Sequence, residues 1–237
     1  MKVVILAAGV GKRLGNLTEN IPKPMIRVFD KPILEYIVND LVNSGFNDIC
    51  IIIGHYGEQI KQYFGSGEKF NVKITYVTQI EYNGTADATW YAKDFVNDEK
   101  FLLHLGDAIN PNALRKYTKN MLDDEADVSI ISVEIEDSMK KKVGNIEIDG
   151  NSVVKISEKS EINKSNLAWA GVALFKNGEI FEKIQKMDVS LTGEYEITEA
   201  INMMIPDRKI VRNYVCETSI DVGTKEGIQK TISVLQK

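Results

Sequence analysis

The chain has 237 residues, 43% of them hydrophobic and 27% charged, with a net charge of −5. That length buries a core without disulfides or structural metals, and the balance is that of a soluble globular protein. The acidic excess argues against non-specific binding to nucleic acid, though not against a phosphate held by local N–H groups and a few cations.

Lys2 to Ala7 reads as a buried strand, a continuous apolar run of the kind found in parallel sheets covered on both faces. It is too short for a signal peptide, and no apolar run approaches membrane-spanning length, so a cytoplasmic protein with no membrane partner is expected. Ile33 to Ser44 follows as a helix, with apolar residues at Ile33, Leu34, Ile37, Leu41 and Val42 and a stop at Gly45. Ile49 to Ile53 is a second buried strand. It contains Cys50, which shares no metal-ligand spacing with Cys216, His55 or His104. Strand, helix and strand make a βαβ unit, which a right-handed crossover renders parallel.

The pattern continues with a helix at Glu58 to Phe64 and a strand at Lys73 to Val77. A helix at Ala86 to Phe95 and a strand at Phe101 to Leu105, stopping at Gly106-Asp107, come next, then a strand at Asp127 to Glu134. After this the strands shorten. Gly144 to Ile148 and Ser152 to Ile156 suit a hairpin through Gly150-Asn151, and Ala168 to Phe175 is a third strand. Helices are expected at Glu179 to Lys186 and Glu196 to Met204, a strand at Ile210 to Val215, and a helix from Lys225 to Leu235 capped by Thr224.

This order predicts an α/β fold. Its centre is a Rossmann-like, mostly parallel sheet with helices on both faces, joined to a smaller antiparallel lobe. The chain reads as one domain, 1–237, with a core over 1–135 and the second lobe over 136–237. In open α/β sheets ligands sit beyond the carboxyl ends of the strands. Here those ends are Ala7-Ala8-Gly9, Gly54-His55 and Gly106-Asp107.

The loop after the first strand carries Gly9, Gly11 and Gly15 with Lys12 and Arg13. Glycines let a phosphate approach backbone N–H groups, and the cations add charge. The loop is not a dinucleotide fingerprint, because Leu14 stands where the third glycine belongs, and it is not a Walker A loop. Pro22-Lys23-Pro24 places a lysine on a stiff segment, expected to be extended.

Taken together, Leu6-Ala7-Ala8-Gly9-x-Gly11-x-Arg13-Leu14, Pro22-Lys23-Pro24 and Lys31-Pro32-Ile33-Leu34 resemble the signature of the sugar-1-phosphate nucleotidyltransferase family. The resemblance runs along almost the whole chain, through Gly84-Thr85-Ala86, Leu105-Gly106-Asp107, Glu158-Lys159, Gly193 to Ala200 and Asp221-Val222-Gly223-Thr224. It implies a magnesium enzyme that joins a nucleoside triphosphate to a sugar 1-phosphate and releases pyrophosphate. Arg13 and Lys23 would be catalytic. Leu6, Ala8, Gly9, Gly11, Gln79, Gly84 and Thr85 would bind the nucleotide. Gly144, Glu158, Lys159 and Trp169 would bind the sugar phosphate, which makes 136–237 the sugar-binding lobe. Asp107 and Asp221 would hold Mg²⁺, although the spacing itself does not show them converging.

The resemblance favours dTTP or UTP with glucose 1-phosphate, and relatives are often dimers or tetramers, which leaves a homo-oligomer open. Ser160, where a proline is usual, and Lys142, where a tyrosine is common, put the sugar in question. Two other readings stand beside it. One is a cytidylyltransferase acting on inositol phosphate, phosphocholine or another phosphate monoester. The other is a non-catalytic subunit that senses sugar nucleotide, against which Arg13, Lys23, Asp107 and Asp221 are all retained. A nicotinamide enzyme, suggested by the strand-loop-helix order alone, comes third because the glycine spacing is wrong for it.

Overall fold

A computed structural model of the protein describes residues 1–9, 11, 14–15, 18–141, 143–158, 165–190 and 192–235, with the backbone alone for Lys225 and Leu235. Arg13 and Lys159, two of the expected site residues, lie outside the described residues, as do Lys12, Lys142 and Ser160.

The chain begins with β1 (Lys2–Ala7), the short strands β2 (Arg27–Val28) and β3 (Lys31–Pro32), α1 (Ile33–Asn43) and β4 (Asp48–Ile53). There follow α2 (Gly57–Phe64), β5 (Lys73–Thr78), α3 (Thr85–Trp90), α4 (Lys93–Val96), β6 (Phe101–Leu105), β7 (Ala108–Ile109) and α5 (Ala113–Asp123). The second half runs β8 (Val128–Glu134), β9 (Gly144–Asp149), β10 (Ser152–Glu158), β11 (Leu167–Phe175), α6 (Glu179–Lys186) and α7 (Ile197–Asn202). It ends with β12 (Val211–Cys216), β13 (Ile220–Asp221) and α8 (Lys225–Leu235).

Nine strands form one mixed sheet in the order β5-β4-β1-β6-β11-β8-β12-β10-β9. β1, β4, β5 and β6 pair in parallel. β11 then enters antiparallel between β6 and β8, and β12 returns parallel to β8. β10 is antiparallel to both β12 and β9. Only β11 and β10 therefore run against the other strands. The antiparallel strands are part of the same sheet as the parallel ones, not a sheet of their own.

Alternation along β1 explains the layering. Val3, Ile5 and Ala7 face one apolar cluster, with Ile33, Leu34, Ile37 and Leu41 of α1, Ile60 and Phe64 of α2, and Leu114 and Met121 of α5. Val4 faces the other, with Ala86 and Ala88 of α3, Val96 of α4, Ile180, Phe181 and Ile184 of α6, and Ile197, Ala200 and Ile201 of α7. Helices thus cover both faces, which is why the central strands are apolar throughout.

Three local differences from the sequence reading have physical causes. The helix expected from Ala86 to Phe95 is two pieces. Thr89 turns its hydroxyl onto the Thr85 carbonyl at 2.8 Å, and the Ala92 N–H reaches Thr89; such back-bonding tightens and bends a helix. Helix α5 has no counterpart in the sequence reading, because five polar residues separate Leu114, Tyr117 and Met121 and dilute the signal. The Lys23 segment is a single 3₁₀ turn, Lys23–Met25, entered from an extended Pro22. A proline φ suits the first turn of a helix as well as an extended chain. Among the described residues, no helix is long and apolar enough to cross a membrane.

Candidate active site

The carboxyl ends of β1, β4, β5 and β6 lie along one edge because the strands are parallel. Ala8, Gly54, Gln79 and Gly106-Asp107 leave the sheet there. The Gly106 N–H donates to the Leu6 carbonyl at 2.8 Å, and a Cβ on Gly106 would stand 2.7 Å from that same oxygen. Only glycine lets the chain turn this close to β1, and the turn delivers Asp107 to the edge. Ala8 is buried, Leu6 is half-buried and Gly9 is exposed. The Gly11 carbonyl accepts from the Leu14 N–H and from the Thr18 hydroxyl, both at 3.0 Å, and Gly11 packs against the Lys23 stem.

Asp107 and Asp221 are brought together by a two-stranded ribbon. β7 and β13 pair antiparallel with Asp221 opposite Ala108, and the Val222 N–H donates to the Asp107 carbonyl at 2.9 Å. The Lys23 ammonium enters between the two carboxylates. It donates a hydrogen bond to Asp107 Oδ2 and lies 3.6 Å from Asp221 Oδ1, which also accepts from the Gly223 N–H at 2.7 Å. The Lys23 side chain is 14% exposed. Burial pushes the Asp107 carboxyl up, but the charge and hydrogen bond of Lys23 outweigh it and hold the group below the usual carboxylate range.

This donor set fits magnesium. Two carboxylates are hard oxygen ligands, the space between them already attracts a cation, and Mg²⁺ takes its remaining ligands from substrate phosphates and water. Among the described residues no cluster of three or more His, Cys, Asp or Glu could complete a protein-only cage.

Beyond β5, Gln79 is 4% exposed and its Nε2 donates to Asp87 of α3 at 2.7 Å. Gly84 has a φ of 114°, and a Cβ there would stand 2.5 Å from the Tyr195 carbonyl. The segment is bolted to the residues before α7. The Ala86 N–H donates to Tyr195, and the Tyr195 N–H donates to Asn83, at 2.8 and 2.7 Å. The Thr85 hydroxyl donates to Glu196 at 3.0 Å and accepts from the Ile197 N–H at 2.9 Å. Thr85 is therefore engaged by protein groups through its side chain.

On the other side, Gly144 of β9 faces Glu158 of β10, whose Oε1 accepts from the Thr198 hydroxyl at 2.9 Å. Trp169 precedes an irregularity in β11 and folds its indole N–H back onto the Val172 carbonyl at 3.0 Å. It is half-buried against the second apolar cluster. The bulge presses Gly171 against Leu105 and Ala108, and Asn110 donates to the Ala170 carbonyl at 2.9 Å. Strand β11 is thus fastened to the Asp107 turn. Helix α7 joins both sides, with Glu196 reaching Thr85 and Thr198 reaching Glu158. Asp87, Glu196 and Asn110 are given no site role in the sequence reading. Of these, Glu196 alone carried a signal, as a carboxylate within Gly193 to Ala200.

The sequence matches the nucleotidyl transferase family over residues 2–237. It is 36% identical to UTP–glucose-1-phosphate uridylyltransferase AglF of Haloferax volcanii, over 100% of this chain and 97% of that protein. It is 34% identical to the low-salt glycan biosynthesis nucleotidyltransferase Agl11 of the same organism, over 92% of this chain but only 60% of the length of Agl11. In structure it superposes with a TM-score of 0.91 on a Bacillus anthracis protein provisionally assigned as a glucose-1-phosphate thymidylyltransferase and solved with sucrose. The identity is 27%, covering 100% of this chain and 96% of that one. With a family match along almost its full length and a relative of nearly equal length, the chain belongs to the sugar-1-phosphate nucleotidyltransferase family.

Proposed function

We propose that the protein transfers a nucleotidyl group from a nucleoside triphosphate, dTTP or UTP, to a sugar 1-phosphate, glucose 1-phosphate in the leading case. The observation that carries this reading is the convergence of Lys23, Asp107 and Asp221 at the carboxyl edge of the parallel strands, in a chain of this family. The names of AglF and of the Bacillus anthracis protein support the substrate pair.

In the reaction, a phosphate oxygen of the sugar 1-phosphate bonds to the α-phosphorus. The bond from that phosphorus to the oxygen bridging the β-phosphate breaks, and its electron pair leaves with pyrophosphate. No covalent enzyme intermediate is needed, so catalysis is positioning and charge neutralisation. Lys23 would move from the carboxylates to the α-phosphate and the incoming phosphate. Arg13 would neutralise the departing pyrophosphate, and Lys159 would hold the sugar phosphate. Asp107 and Asp221 would hold Mg²⁺, which when bound polarises the α-phosphate. Leu6, Ala8, Gly9, Gly11, Gln79, Gly84 and Thr85 would line the nucleoside, and Gly144, Glu158 and Trp169 the sugar. The parallel half of the sheet would then serve the nucleotide, and the strands after residue 135 the sugar.

The test is a pyrophosphate-release screen that crosses five nucleoside triphosphates with sugar 1-phosphates, inositol phosphate and phosphocholine, with and without Mg²⁺. A Mg²⁺-dependent signal with a sugar 1-phosphate is expected. A signal only with another phosphate monoester, or silence from folded protein, would overturn the assignment.

A further inference from the structure

The contact between Gln79 and Asp87 carries a consequence for base choice. Gln79 is 4% exposed, its backbone N–H is fixed to the Ile53 carbonyl at 2.9 Å, and its side-chain amide meets Asp87 Oδ2 at 2.7 Å. A carboxylate accepts hydrogen bonds and does not donate them. The amide nitrogen therefore has to face Asp87. Turning the amide over would set oxygen against oxygen. The backbone that carries Asp87 is held in place, because α3 is tied at its start to Tyr195, Glu196 and Ile197.

With one N–H committed, Gln79 keeps Oε1 as an acceptor and one N–H as a donor, in a fixed order. Among the described residues nothing else hydrogen-bonds to Oε1. That order matches a base edge with a ring N–H beside a carbonyl, as in uracil, thymine and guanine. It opposes an edge with a bare ring nitrogen beside an amino group, as in cytosine and adenine. There the acceptor would meet an acceptor and the donor a donor.

We infer that Asp87 is the positioning residue for base selection, acting through Gln79 to favour bases with a ring N–H and carbonyl over bases with an amino group. The inference rests on the proposed reading of Gln79 as facing the base. Two hydrogen bonds presented in the right or wrong order discriminate on the order of ten- to a hundred-fold.

The experiment compares wild type with Asp87→Asn, and with Asp87→Ser as a second variant. Each replacement can accept or donate, so each leaves both orientations of the Gln79 amide open. Dissociation constants for UTP and CTP are measured by calorimetry without sugar, and kcat/KM for both with the sugar phosphate. Wild type is expected to prefer UTP, and both variants to lose at least tenfold of that preference. A variant that weakens UTP and CTP equally has lost only structure, and that result would overturn the role of Asp87. So would wild-type protein that binds UTP and CTP alike. Wild-type protein that binds neither nucleotide would instead sink the transfer reading on which the inference rests.

Discussion

Lys23 donates a hydrogen bond to Asp107 across 84 positions of sequence, and the same nitrogen stands 3.6 Å from Asp221. One ammonium thus offsets two carboxylates that would otherwise repel each other. It lies on ground that a divalent cation held by both carboxylates would take. Catalysis under the proposed reading requires Lys23 to exchange these partners for phosphate oxygens.

Replacing Lys23 should separate two roles. In Lys23→Met, turnover should fall about a hundred- to a thousand-fold, the usual cost of losing one charged group that stabilises a transition state. Arg13→Ala should do the same. The fold should persist by circular dichroism. Nucleotide-free Lys23→Met should also bind Mn²⁺ more tightly than wild type, read by water proton relaxation. Normal turnover in both variants would remove them from the mechanism, and unchanged Mn²⁺ binding would deny that Lys23 competes for the carboxylates.

Acid should weaken the protein through His104. This residue is 2% exposed, and burial pushes its imidazole down to about 4, against the pull of its contact with the Leu105 carbonyl. The unfolded chain takes up a proton near pH 6.5. The stability contributed by the neutral ring is therefore complete above about 6.5 and lost as the pH falls from there to about 4. Between pH 7 and 5 this one ring should cost about 2 kcal/mol. Urea titrations of wild type and His104→Leu at both pH values check it, and the same slope in the two proteins would refute it.

Gly84 should tolerate no side chain. Its φ of 114° lies where L-residues are strained, and a Cβ would collide with Tyr195. Gly84→Ala should lose about 1–3 kcal/mol, and nucleotide affinity should fall with it, since the segment around Gln79 must shift. Denaturation midpoints and a nucleotide titration read the two effects.

Thr224 caps α8 by accepting the Gly227 N–H at 3.0 Å. Thr224→Ala should cost about 1 kcal/mol, seen as a lowered Tm. Glycine at the same position should cost less.

What the sequence disclosed follows from how far each signal reaches. Strands β1, β4 and β6 are short uninterrupted apolar runs, and their burial on both faces writes itself into consecutive residues. Strands β7 and β13 have two residues each, too few for any period to register. Yet these two bring Asp107 to Asp221, so the meeting of the carboxylates was invisible although each aspartate stood out in its motif. The role of Glu196 was hidden for a similar reason. Its partner Thr85 lies 111 positions away, and no local pattern encodes a hydrogen bond of that span. The prolines around Lys23 suggested an extended segment, whereas the chain makes a turn there, because a proline φ serves both forms.

The pairing of β7 with β13 also sets a timetable for biosynthesis. As the chain leaves the ribosome, strands β1, β4, β5 and β6, which end at Ala7, Ile53, Thr78 and Leu105, emerge within the first half of the chain and can pair early. Asp221 must still emerge before the second carboxylate arrives, and closing so long a loop is slow relative to local pairing. A nascent chain interrupted before this point would carry much of the sheet and lack one of the two carboxylates proposed to hold the cation. Under the proposed reading, metal-dependent turnover would begin only once Asp221 has joined Asp107.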